Sequence, residues 1–178
     1  GFSNRAGEDN VGMGAFSDYG ASGQVGGDWT DGPGNSTNRS RTTFIGAQSD
    51  AGNNDVTMLG YSTRVDGQYG IAIGNEADLL NATGGIGMGY QATLDANADH
   101  SIGIGRQVAI TDSNAIVMGY LSQGTGEYGI GIGDGVVVDT LSIAMGRSTQ
   151  VLGQYSIAIG DGITIADQLK YATAIGAG

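Results

Sequence analysis

The sequence predicts an all-β solenoid whose coils are about 14 residues long, and three observations carry that expectation. The first is a phrase of two apolar residues around a small one, closed by glycine. It recurs as Ile71-Ala72-Ile73-Gly74, Ile102-Gly103-Ile104-Gly105, Ile130-Gly131-Ile132-Gly133 and Ile157-Ala158-Ile159-Gly160. The second is its spacing. From Gly46 onward the closing glycines are separated by 14, 14, 15, 16, 14, 14, 13, 14 and 16 residues, and so regular a period marks stacked, near-identical units. The third is the absence of any helical period: each unit holds two short stretches of period-two alternation separated by turn residues.

The elements follow in order. The first phrase is Val11-Gly12-Met13-Gly14, the next Thr43-Phe44-Ile45-Gly46, and the last Thr173-Ala174-Ile175-Gly176. Three residues after a closing glycine stands a small or branched residue, as at Ser49, Thr63, Val108 and Ile163. Five after it stands an apolar one, as at Val65, Leu79, Leu94 and Ile110. Two short strands and two turns make one coil. About eleven coils stacked at strand spacing make a rod of roughly 50 Å. The glycines close the first strand where a residue with a Cβ is costly. Strings such as Gly129-Ile130-Gly131-Ile132-Gly133 are therefore not phosphate loops, since no helix is patterned after them.

Within the phrase, the middle residue points to the opposite face from its neighbours. Bulk assigns Ile and Met to the coil interior, which leaves a smooth strip of Gly and Ala outside. That strip is expected to pack against partner subunits; packing across the same chain's own coil is the alternative. The residue after each glycine runs Tyr61, Asn75, Tyr90, Arg106, Tyr120, Asp134, Arg147, Asp161. Stacking would let Arg106 lie on Tyr90 or Tyr120, and Arg147 sit between Asp134 and Asp161. Tyr69, Tyr128, Tyr155 and Tyr171 share the position five before the closing glycine and are read as structural.

Composition excludes several functions. The net charge is −11, with 18 acidic against 7 basic residues, so nucleic acid is not an expected partner. No apolar run is long enough to span a bilayer, so no direct membrane insertion is expected. The chain has no Cys and a single histidine, His100, in an Ala-Asp-His turn. No zinc site and no Ser-His-Asp arrangement can be assembled from these within one chain. Asp95 and Asp99 lie in a turn with no cleft patterned around them. No catalytic residue, metal or cofactor is assigned, and an enzyme is not expected.

The period breaks once. Between Gly14 and Gly46 the interval is 32 residues, and it holds the only Trp and the only Pro. Asp28, Trp29, Asp31, Arg39 and Arg41 there form the candidate ligand-binding loop, because an exposed Trp beside Asp and Arg suits a sugar or protein surface. A cap over the first coil, with Trp29 as its plug, is the leading reading of the segment, ahead of this binding loop and of a plain disordered loop.

The phrases Ser156-Ile157-Ala158-Ile159-Gly160 and Ser142-Ile143-Ala144-Met145-Gly146, each with a small or branched residue three after the glycine, resemble the head repeats of YadA-like trimeric autotransporter adhesins. The resemblance covers 42–178 and a first coil near 8–14, leaving 1–41 as N-terminal cap and inserted loop. It implies a left-handed parallel β-roll, a homotrimer, and exposure on a bacterial surface for attachment to an extracellular protein or glycan receptor. The chain begins and ends inside the repeat, so the export signal and outer-membrane anchor are expected in segments outside it. Similar repeats are at home in phage-type fibres. A receptor-binding tail-fibre domain and a non-binding spacer in a trimeric fibre are therefore the other readings.

Overall fold

The computed structural model describes residues 11–13, 43–46, 49–53 and 55–178. Among these residues there is no helix, and the chain winds as a parallel β-solenoid. Nine coils contribute one strand to each of two sheets, and Val11–Met13 and Thr173–Ala177 join the long-strand sheet alone. The long-strand sheet has eleven strands, from Val11–Met13 and Thr43–Ile45 to Thr173–Ala177, stacked in sequence order. The short-strand sheet has nine strands of two residues, from Asp50–Ala51 to Thr164–Ile165. All pairs are parallel and in register: Ile102 lies beside Ile116, Gly105 beside Gly119, Arg106 beside Tyr120. Val11–Met13 pairs directly with Thr43–Ile45, so the 32-residue interval joins neighbouring coils.

The interior reverses the expectation for the repeated phrase. Its small middle residue is inside: Ala72, Val117, Ala144 and Ala158 are all fully buried. The flanking Ile and Met face outward, with Met118, Ile157 and Ile159 exposed by more than a third. The reason is volume. The short-strand sheet already projects Val65, Leu79, Leu94, Ile110, Val138 and Val151 into the coil. A second large layer would overfill so thin a core, and the long-strand sheet yields with Gly or Ala. The compensation works rung by rung. Val117 faces Gly124, whose missing Cβ would lie 2.8 Å from Val117 Cγ2, while in the next coil Gly131 faces Val138. The Gly/Ala strip thus packs across its own coil.

Hydroxyls complete the core. Ser142 Oγ donates to the Gly153 carbonyl at 3.1 Å and accepts the Ser156 N–H of the following coil at 3.1 Å. Ser122 does the same with the Gly133 carbonyl at 2.9 Å and the Val136 N–H at 3.2 Å. These buried polar groups are satisfied, and each ties one coil to the next.

Two corners connect the sheets. At the first, the closing glycines have φ between 130 and 150°. A Cβ on Gly119 would collide with the carbonyl oxygen of Gly133 in the next coil, so only glycine fits this column. Two residues later the chain is left-handed again, at Ser62, Glu76, Gln91, Gln107, Leu121 and Ser148. There the N–H turns back: Gln107 donates to the Tyr90 carbonyl at 2.8 Å, whereas strand residues such as Ile116 donate forward, to Gly129 at 2.9 Å. The second corner absorbs the variation in coil length. Between the inward residue five after one glycine and that four before the next lie three residues at 139–141, four at 125–128 and six at 95–100. The longer corners fold Ala82 and Ala98 into the core, and sheet register is unchanged.

Candidate functional site

The sequence-predicted loop residues Asp28, Trp29, Asp31, Arg39 and Arg41 lie outside the described residues. Three surfaces of the roll carry chemistry within them.

The first is the outer face of the long-strand sheet. Most coils present two apolar residues there, such as Ile71 and Ile73, Ile102 and Ile104, Ile130 and Ile132, Ile157 and Ile159, with Thr at the first position in Thr57–Tyr61 and Thr173–Ala177. Because register is exact residue for residue, they align as two parallel aliphatic columns. From Thr57 to Thr173 the columns run about 40 Å at strand spacing. A continuous apolar strip of that length is not an ordinary solvent face.

The second surface consists of the strip's flanks. On one side the residue after each glycine forms the expected ladder. The Arg106 guanidinium lies 5.7 Å from the Tyr90 ring centre and 5.3 Å from that of Tyr120. Arg147 pairs with Asp161, its Nε 3.1 Å from Oδ1, and reaches Asp134 only through space. The hydrogen bond from Arg147 holds the Asp161 carboxyl below the usual carboxylate range, and Arg147 is raised in turn. On the other side Tyr155 and Tyr171 stack, ring centres 5.0 Å apart and 14° from parallel. Tyr69, Tyr128, Tyr155 and Tyr171 all hold left-handed backbone and are 46–76% exposed. His100 occupies the same column, exposed, its N–H donating to the Thr83 carbonyl at 2.8 Å.

The third surface is the outer face of the short-strand sheet, with the adjoining first corner. A shallow groove of about 440 Å³ is lined by Glu76, Asp78, Gln91, Thr93 and Gln107. Gln107 Nε2 donates to Gln91 Oε1 at 3.2 Å, and Gln91 Nε2 to Glu76 Oε2 at 2.7 Å. Burial pushes the Asp78 carboxyl above its ordinary value, against the pull of Arg64. Sequence reading missed this ladder, although its members share one signal, the position two after a closing glycine. Among the described residues no three His, Cys, Asp or Glu side chains come together as a metal site. No helix there is long and apolar enough to cross a membrane.

A parallel solenoid of 13- to 16-residue coils, apolar on one outer face, is a repeat-built rod. Two stretches, 59–77 and 140–162, match the YadA head domain repeat. With the continuous coil stack between and beyond them, the chain carries a YadA-like head domain. That family points to an adhesin-type, surface-exposed role, and such heads are generally non-enzymatic. No curated protein matches the sequence.

Proposed function

We propose that this domain is the head of a homotrimeric surface fibre that holds its bearer to a host, matrix or bacterial surface. One observation carries the reading: the aliphatic double column on the long-strand sheet, which nothing among the described residues covers. Three such faces turned toward one axis bury it, and the acidic, polar short-strand faces remain outside. The outer surfaces, together with the segment holding Asp28, Trp29, Asp31, Arg39 and Arg41, then meet an extracellular protein or glycan in three copies. Multivalency on a stiff rod raises effective affinity without a single strong site. The domain works outside the cell, anchored to the outer membrane through other segments of the parent fibre.

The test has two arms. Light scattering on the purified domain is expected to give three times its 17.9 kDa mass. Labelled domain, with and without residues 20–41, is then applied to bacterial cells, immobilised matrix proteins and glycans. Capture lost with the segment supports the adhesive reading and places the contact there. A trimer captured by none of them is a spacer, and a monomer removes the fibre reading altogether.

A further inference from the structure

The apolar face has two rims, and they are related. One rim is the residue after each closing glycine; the other is the residue five before it. In seven of the nine coils closing at Gly60 to Gly176 one rim carries a tyrosine, and in none do both: Tyr69 stands opposite Asn75, Asn114 opposite Tyr120, Tyr128 opposite Asp134 and Tyr155 opposite Asp161. In these four coils the partner of the phenol is an Asp or Asn, an acceptor for its hydroxyl. Contact within a chain does not explain the pattern. Six residues of extended strand separate the two rims of one coil, about 20 Å. The rims are nevertheless exposed and border the apolar columns along their whole length: Tyr128 is 52% exposed, and Tyr120, on the opposite rim, 39%.

We infer that the two rims are the halves of one seam between copies of this chain. The rim of one copy lies against the opposite rim of the next at the same level, so each of these four levels receives one ring and one polar acceptor. Two tyrosines at one level would crowd the seam, and two carboxylates would repel. The occupant is therefore a second copy running parallel and in register, since antiparallel packing would set each rim against itself. This rests on the proposed homotrimer and adds what aligns it: the aliphatic columns attract without specifying height, and the rims specify it.

The chain lacks cysteine, which makes the test clean. The variant Tyr128→Cys/Asp134→Cys is weighed by light scattering under reducing conditions. It is then oxidised, and in parallel bridged with a bis-maleimide too short for the roughly 20 Å gap within a chain. The expected result is a covalent three-chain species as the main product, absent from either single variant. Tyr69→Cys/Asn75→Cys repeats the test on another coil should the first variant fold poorly by circular dichroism. A non-covalent trimer that neither treatment links overturns the seam and leaves the trimer standing. Covalent dimers from single variants overturn it too, since each rim then meets its like. A monomer at the weighing step overturns the trimer and the seam together.

Discussion

The two sheets of this roll are alike inside and opposite outside. Both turn buried, small or apolar residues inward: Ala72, Val117 and Ala144 from one, Val65, Leu79 and Ile110 from the other. Outward, the short strands show Arg64, Asp78, Thr93, Gln123 and Gln150, whereas the long strands show paired Ile and Met. The inward columns are what any thin coil needs to close. The outward columns report what each face meets, water on one side and, in our reading, other copies on the other.

The corner that joins the sheets is the sharpest place to break both at once. Gly119→Ala sets a methyl group against the Gly133 carbonyl at φ 140°, and it is expected to cost more than about 4 kcal/mol, read as loss of the β signal on thermal melting. Substituting the faces then separates the sheets. Ile104→Ser with Ile132→Ser is expected to convert the assembly to monomers by light scattering, while Ala109→Ser with Val137→Ser on the short-strand face leaves the mass unchanged.

Smaller effects sharpen the inward half of the comparison. Gly124→Val overfills the rung shared with Val117 and is expected to cost about 1–3 kcal/mol, with Val117→Ala restoring part of it in denaturant titration. The smallest effect belongs to Asp78. Its folded-state carboxyl is raised above the unfolded value of 3.8, so ionisation favours the unfolded chain and the penalty is present at neutral pH. Asp78→Asn should therefore gain slightly at pH 7, within about 0.5 kcal/mol, and the gain should vanish as pH falls through 3.8.

Period, strand content and the Arg106 and Arg147 ladders were legible in the sequence, because each follows from spacing alone. The assignment of inside and outside was not. Alternation separates two faces without saying which is buried, and the bulk of Ile and Met argued for the wrong one. The correcting signal lay in the neighbouring column, where Leu79, Leu94, Ile110 and Val138 already claim the interior and each coil balances them with Gly or Ala. The left-handed positions at Tyr69, Gln107 and Tyr128 were equally hidden, since parallel stacking imposes them on residues without such a preference.

The uneven second corner has a consequence for how such a molecule changes over generations. Because every residue gained or lost from Gly46 onward falls at 80–84, 95–100, 139–141 or 166–171, the sheets there never register the edit. A whole coil duplicated or deleted shifts the reach of the rod by about 4.8 Å and hands each surviving coil a neighbour like the one it had. The protein is a ruler with interchangeable graduations. Its length can be reset by recombination within its own gene while the corner loops diversify, and neither change asks the other's permission.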